Sequence, residues 1–275
     1  MQKSLYDRSA LTWSLQGRLY QVEYAMEAVN QGNLLLGLKS KTHVVLIGFK
    51  SAPNEVLSYY PEKLFKVSPH ICIGIAGLTP DGRLLYQYMK NECLNYSYTY
   101  NANYPVERLV TKIAEKSQLK TQRGENKRPY GVGLLIAGYD KTGPRLFRTC
   151  PSANYYEYHC VAIGSRCQGA TTYLENNMEK FWDMSRDDLI KTGLKAMKGA
   201  LDVKVNGKNL DVMVVGEGEN VRMLDDEEIE KFLNENGDNI KEQFLKNRES
   251  EGINNEKFSN RNFIRRNTGE LPVAQ

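Results

Sequence analysis

The sequence is poor in the residues that bind metals or form disulfides. Only three histidines are present, at positions 43, 70 and 159, and none lies in a metal-binding pattern such as HxxxH or HExxH. The five cysteines form no CxxC pair and are odd in number, which is typical of reduced thiols in a cytosolic or nuclear protein. We therefore expect no metal and no cofactor.

Long apolar runs and strong charge are also missing. No apolar run reaches the roughly 18 residues of a membrane span, and the first residues lack the apolar core of a secretory signal. The net charge of +4 is small, and the lysines and arginines form no basic stripe interleaved with aromatic residues. We therefore expect no membrane partner, and nucleic-acid binding is a distant alternative.

The sequence does contain a repeated order of paired strands followed by paired helices. Near-continuous apolar strands are predicted at 34–38, 43–49, 63–68 and 71–77, with helices at about 79–100 and 105–121. In the second half, strands are predicted at 131–140, 145–149, about 153–163, 210–216 and 221–224, with helices at about 167–182 and 186–201. Apolar strands of this kind indicate burial on both faces. The pattern predicts two stacked sheets between outer helices, a four-layer α+β sandwich.

One further helix is predicted ahead of the first strand. Leu19, Val22, Met26 and Val29 recur at spacings of three and four within residues 16–32, which makes one helical face. Ser14 is the predicted N-cap, and Gly32 is predicted at the left-handed position after the helix end.

The composition divides the chain into three parts. We predict an N-terminal tail at 1–13, a folded domain at 14–236 and a polar C-terminal tail at 237–275. The last part is rich in asparagine and mixed charge and has few apolar residues, so we predict that it is mostly unfolded.

Several long motifs resemble the proteasome alpha subunits. The first is YDRSALTWSLQGRLYQVEYAMEAV, and it is followed in order by AGLTPDGRLL, RPYGVGLLIAGYDKTGPRLF, CPSANYYEY, AIGSRCQGATTYLE and DDEEIEKFL. The resemblance covers about residues 5–235. Two stretches, GLKSKTHVVL and GLLIAGYD, most resemble the subtype at the sixth position of the eukaryotic ring.

The resemblance implies an αββα sandwich of the N-terminal-nucleophile-hydrolase type with an extra N-terminal helix. Catalytic beta subunits of that type begin with a threonine, whose hydroxyl is activated by a free terminal amine and a lysine. Here the matching position is Asn33, an amide without a hydroxyl, and the expected acidic position is Phe49. Lys63 and Ser165 match other parts of the family site. We therefore expect no catalysis by this chain.

The resemblance also implies a docking pocket for the C-terminal tails of activators. Lys63 matches the lysine that meets the terminal carboxylate, and Glu23, Gly32 and Leu78 match other parts of the pocket. Met26 departs from the arginine that some family members carry on this helix. By residue type alone Lys63 is one surface lysine among many, whereas its motif position favours docking.

A gate is implied by Tyr6, Asp7 and Arg8, which match the motif that orders the tails around the axial pore in the family. A phenol, a carboxylate and a guanidinium can form charge-assisted hydrogen bonds between adjacent tails. Leu15 stands where the family commonly has proline, which makes the turn after the tail less rigid. The alternative is that these three polar residues are simply solvated.

The resemblance implies a non-catalytic alpha-ring subunit of the 20S proteasome core in ubiquitin-dependent protein degradation. The partners implied are other alpha subunits in a seven-membered ring, beta-ring subunits, the tails of regulatory particles or activators, and unfolded protein substrates in transit. The location implied is the cytoplasm and the nucleus. The alternative from another class is an N-terminal-nucleophile amidohydrolase that acts alone.

Overall fold

The computed structural model describes residues 9–51, 59–122, 128–201, 203 and 205–235. In the first half the elements are α1 (Tyr20–Asn30), β1 (Leu35–Lys39), β2 (His43–Phe49), β3 (Leu64–Ser68), β4 (Ile71–Gly77), α2 (Thr79–Tyr100) and α3 (Val106–Gln122). These elements agree with the predicted strands and helices to within one or two residues, apart from the helix ahead of the first strand.

The second half keeps the predicted order. Its elements are β5 (Val132–Asp140), β6 (Gly143–Thr149), β7 (Tyr155–Glu157), β8 (Cys160–Ile163), α4 (Cys167–Asn176), α5 (Met178–Phe181), α6 (Arg186–Ala200), β9 (Leu210–Gly216), β10 (Glu219–Met223) and α7 (Asp226–Glu235). The single helix predicted at 167–182 is wrong, because the helix is interrupted at Asn177 and two helices form instead. The Asn177 side-chain amide donates to the Tyr173 carbonyl oxygen at 2.8 Å, and such a bond competes with helical continuation.

The strands form two five-stranded sheets, in the orders β10-β9-β2-β1-β8 and β3-β4-β5-β6-β7. Every pairing between these strands is antiparallel. In β1 the side chain of Leu35 belongs to the core between the sheets, whereas Leu36 and Leu38 belong to the core under α4 and α6. This alternation explains why β1 is apolar without interruption. A third core lies between the second sheet and the helices α2 and α3. The predicted αββα sandwich is confirmed.

Helix α1 packs against the ends of β4 and β5 and covers one end of the sandwich. Its buried residues are Val22, Ala25 and Val29, and Met26 is exposed. The predicted face was therefore wrong at one position: Ala25 is buried in place of Met26, whereas Val22 and Val29 belong to both faces. A Cβ atom at Gly133 would lie 2.8 Å from the Val29 Cγ1 atom.

Both predicted ends of this helix are wrong. Ser14 does not cap it: its Oγ accepts from the Arg18 amide at 3.0 Å and closes a separate turn. The C-cap is Gln31 in a right-handed conformation, and Gly32 has no positive φ. Glycine is needed at position 32 for another reason, because a Cβ there would lie only 2.3 Å from the Gly77 amide nitrogen.

Two parts of the predicted organisation lie outside the described residues. These are the gate residues at 6–8 and the tail at 237–275, so both stay predictions. Within the described part of the chain, no helix is both long enough and apolar enough to cross a membrane.

Candidate functional site

The segment between α1 and β1 meets the segment that follows β8 at Gly32 and Asn33, just ahead of β1. The Lys63 Nζ atom donates to the Asn33 carbonyl oxygen at 2.6 Å, and the Ser165 amide donates to the Gly32 carbonyl oxygen at 2.6 Å. Gly164, with φ +95°, brings its backbone so close that a Cβ there would lie 2.5 Å from the Asn33 oxygen. The fold thus brings together the three positions that the motifs identified, Asn33, Lys63 and Ser165.

Lys63 is buried and is not a surface lysine. Only 9% of the residue is exposed, and burial lowers the pKa of its ammonium group from the ordinary 10.5 to about 7, although the charge of Asp211 acts in the opposite direction. An amine with this pKa is partly neutral at physiological pH. It can donate to a carbonyl, and a negative group that approaches it would favour its charged form.

Asp211 is the part of the site that the motifs missed. Its Oδ2 atom accepts from the Lys63 amide at 3.1 Å, and its Oδ1 atom lies 2.8 Å from the Nζ atom of Lys50. It lies on β9 opposite Gly48 of β2 and is 2% exposed. The available signal was a single carboxylate within the apolar run of strand 210–216, since buried carboxylates are rare without a partner.

Phe49 occupies the position at which spacing predicted the family's acidic residue. It ends β2, pairs with Leu210, and packs partly buried against the core under α4 and α6. The carboxylate near Lys63 therefore comes from a different strand. Asp211 is bound to a backbone amide and to a second lysine, which makes it part of the support for the β3 start.

The chemistry of Asn33 does not allow nucleophilic attack of the family's kind. Such attack needs a side-chain hydroxyl or thiol and a free terminal amine on the same residue. Asn33 has a side-chain amide, and its amine is in the peptide bond to Gly32. Because Gly32 is packed against Gly77 and bonded to Ser165, this peptide bond is part of the folded core.

The predicted docking residues come together in part. Lys63 reaches the carbonyl of Asn33, the neighbour of Gly32, and Gly32 in turn lies against Gly77, the neighbour of Leu78. Leu78 is 45% exposed and precedes α2. The backbone of residues 32 and 33 thus links the buried Lys63 to the neighbourhood of the exposed Leu78.

Glu23, the fourth predicted docking residue, forms a bidentate ion pair with Arg18. The Arg18 Nε atom donates to Glu23 Oε1 at 2.8 Å, and Nη2 donates to Oε2. This hydrogen bonding lowers the pKa of the Glu23 carboxyl and keeps it ionised. The pair lies at the start of α1, about two helical turns before Gly32.

His70 has a structural role. The buried His70 ring lies between the Ser68 hydroxyl, 3.1 Å from Nδ1, and the Tyr104 carbonyl oxygen, 2.8 Å from Nε2. Among the described residues, no group of three or more His, Cys, Asp or Glu side chains is arranged to hold a metal ion.

Comparison with known proteins assigns these features to one family. The family model for the proteasome subunit matches residues 29–215, and a second model, for the N-terminal signature of A-type proteasome subunits, matches residues 6–28. The chain is 46% identical to "Proteasome subunit alpha type-1" of Dictyostelium discoideum, covering 85% of this chain and 95% of the relative. It is 43% identical to the protein of the same name in Drosophila melanogaster, covering 85% of each. It is 44% identical to "Probable proteasome subunit alpha type-6" of Schizosaccharomyces pombe, covering 86% and 88%.

Proposed function

The chain belongs to the family of proteasome alpha subunits, and we propose that it forms part of the 20S particle's wall while the threonine-protease activity lies in beta subunits. The observation that carries this proposal is the structure around Asn33, just ahead of β1. Asn33 offers an amide instead of a hydroxyl, and Lys63 donates to its backbone carbonyl at 2.6 Å. A lysine bonded in this way supports the chain and has no nucleophile to activate.

The state of the bond between residues 32 and 33 tests this proposal. We expect the chain purified from its native particle to be uncut at that bond, in a ring with other alpha subunits. Intact-mass analysis of the particle and N-terminal sequencing of the chain measure both points. A terminus at Asn33, or a chain that never enters a larger particle, would instead support the amidohydrolase that acts alone.

Docking of an activator tail is the second part of the proposal, and it uses Lys63, Gly32, Leu78 and Glu23. The peptide end would approach the Asn33 carbonyl oxygen, to which Lys63 donates, beside the backbone of Gly32. Its terminal carboxylate would meet the Lys63 ammonium, and a charge-assisted bond in a desolvated seam is stronger than one in water. The half-exposed Leu78 offers apolar contact to the peptide's side chains.

The buried amine makes docking sensitive to pH. With a pKa of about 7 in the free chain, Lys63 must take up a proton to pair fully with a carboxylate. Binding should therefore be tightest below pH 7 and weaken as the pH rises above 7, as long as the peptide carboxylate stays ionised.

A peptide-binding measurement tests the docking role of Lys63. Lys63→Ala should weaken binding of a C-terminal activator peptide by about 1–3 kcal/mol, the range for a hydrogen bond to a charged group, and ring assembly should survive. The measurement is the affinity of the peptide for wild-type and variant particles, with a C-terminally amidated peptide as control. Equal affinities, with this seam shown to be occupied, would contradict the assignment.

The remaining parts of the proposal follow the family. The N-terminal signature match begins at residue 6, which supports a gate role for Tyr6, Asp7 and Arg8. The proposed partners are alpha subunits in a seven-membered ring, beta-ring subunits, regulatory particles and unfolded substrates in transit. The proposed location is the cytoplasm and the nucleus, which imaging of a tagged chain incorporated into the particle would test.

A further inference from the structure

Leu78 is held from both sides of its backbone. Its amide donates to the Gly131 carbonyl oxygen at 2.9 Å, and its own carbonyl accepts from the amides of Asp81 and Gly82 in the first turn of α2, at 3.1 and 3.2 Å. The backbone of Leu78 therefore cannot move without breaking either the start of α2 or its bond to the segment before β5. The segment at 128–131 thus helps to determine where the Leu78 side chain lies.

Gly131 leaves the space that the Leu78 side chain fills. A Cβ atom on Gly131 would lie 2.8 Å from the Leu78 Cδ1 atom and 3.2 Å from its Cγ atom. Gly131 has no positive φ, so alanine suits its backbone. The collision would be with the end of a half-exposed side chain, which can turn away at little cost. An added methyl group should therefore displace Leu78 and leave the fold intact.

An ion pair fixes Gly131. The Asp81 carboxylate accepts from Arg128 Nη1 at 2.5 Å and Nη2 at 2.7 Å, and it also accepts from the Gly131 amide at 3.0 Å. The Asp81 side chain is 12% exposed and that of Arg128 is 59% exposed. One carboxylate at the start of α2 thus joins the guanidinium and the backbone of the segment that carries Gly131.

We propose that Gly131 and the Asp81–Arg128 ion pair are positioning residues that set Leu78 as the apolar wall of the docking site. Gly131 provides the space for the Leu78 side chain, and the ion pair holds the Gly131 backbone in place beside Leu78. The ligand recognised by this wall is a peptide end with an apolar side chain beside its terminal carboxylate. This inference rests on the proposed docking function.

Two fluorescent heptapeptides test the inference on the assembled particle. Both have a free C-terminal carboxylate, and one has leucines beside it where the other has serines. Gly131→Ala should weaken binding of the leucine peptide about three- to tenfold, the effect of losing part of a buried leucine contact. Binding of the serine peptide should stay unchanged. The matched control is Gly169→Ala on α4, where nothing lies within 4 Å of an added Cβ.

A double variant separates positioning from a general structural effect. If Gly131 acts through Leu78, Gly131→Ala should cause no further loss in a chain that already carries Leu78→Ala. Arg128→Gln should cause a smaller loss of the same kind and provides the test if the glycine variant does not assemble. Losses that are equal for both peptides, or additive with Leu78→Ala, would overturn the inference and leave the docking site standing.

Two other results would also overturn the inference. If Leu78→Ala weakens binding of the leucine peptide and both Gly131→Ala and Arg128→Gln leave it unchanged, the positioning role is wrong and the docking site stands. If Leu78→Ala itself leaves binding unchanged, the proposed docking contact fails together with the inference.

Discussion

The buried amine of Lys63 should make the chain less stable in acid than near pH 9. Burial lowers its pKa from 10.5 to about 7. In the unfolded chain Lys63 keeps its proton up to about pH 10.5, whereas in the folded chain it loses the proton near pH 7. Between these values the unfolded state binds more protons, so the free energy of unfolding rises with pH by about 1.4 kcal/mol per unit. Below pH 7 the amine is charged in both states, and the folded state bears the full free-energy cost of burying that charge.

Replacing this lysine with methionine removes the charge at similar volume. A pKa difference of about 3.5 corresponds to roughly 5 kcal/mol. Against this, the variant loses the bond to the Asn33 carbonyl and leaves that oxygen without its donor, which costs about 1–3 kcal/mol. We therefore expect Lys63→Met to be about 2–4 kcal/mol more stable than the wild type at pH 6. At pH 9 the two should agree to within about 1 kcal/mol.

Urea unfolding of the recombinant chain at several pH values between 6 and 9 measures this difference. Lys90→Met is the matched control, because Lys90 lies exposed on α2 and should give a curve parallel to that of the wild type. Parallel pH dependence for Lys63→Met and the wild type would refute the reasoning, since the buried amine would then have its ordinary pKa.

Three further predictions concern other parts of the molecule. Gly32→Ala should destabilise the chain by about 1–3 kcal/mol, because its Cβ meets the backbone of Gly77, which cannot turn away; thermal unfolding measures the loss, and an unchanged midpoint would contradict the close contact. Glu157→Gln should cost about 1–2 kcal/mol, since the buried Lys39 ammonium, 2.7 Å from the carboxylate, loses its ionic partner; urea unfolding checks this, and a neutral result would mean that Lys39 finds another partner. Deletion of residues 2–8 should raise basal peptide hydrolysis by the whole particle, and unchanged hydrolysis would remove this chain from the gate.

The fold was predictable because a strand that is buried on both faces has a nearly continuous run of apolar residues. The strands LLLGL and HVVLIGF are apolar apart from His43, and each alternates between two cores. The order of strand pairs and helix pairs then determined the layers. The buried face of α1 was not predictable in this way, since Ala25 and Met26 both suit a helical stripe. In the structure Ala25 is the buried one of the two.

The site was predictable where the motifs carry it and unpredictable where it depends on a contact across the sheet. Asn33, Lys63 and Ser165 were found as motif positions, and the fold brings them together. Asp211 was missed, because a carboxylate on one strand and an amide at the start of another are related only by their place in the sandwich. The role of Gly32 was misread for the same reason: its neighbour Gly77 lies 45 positions further along the chain.

The amide at Asn33 and the proposed docking role are connected through Lys63, which donates to the Asn33 carbonyl oxygen. In an N-terminal-nucleophile enzyme, a lysine beside the head of the first strand promotes attack by a hydroxyl. With an amide at Asn33, the same amine donates to the backbone carbonyl of that residue, which uses one of its three donor hydrogens. A lysine that is buried gains more from a carboxylate than an exposed lysine does, because its desolvation has already taken place on folding. If Lys63 docks activator tails as proposed, the geometry that supports a nucleophile in one branch of the fold would bind a peptide end in this one.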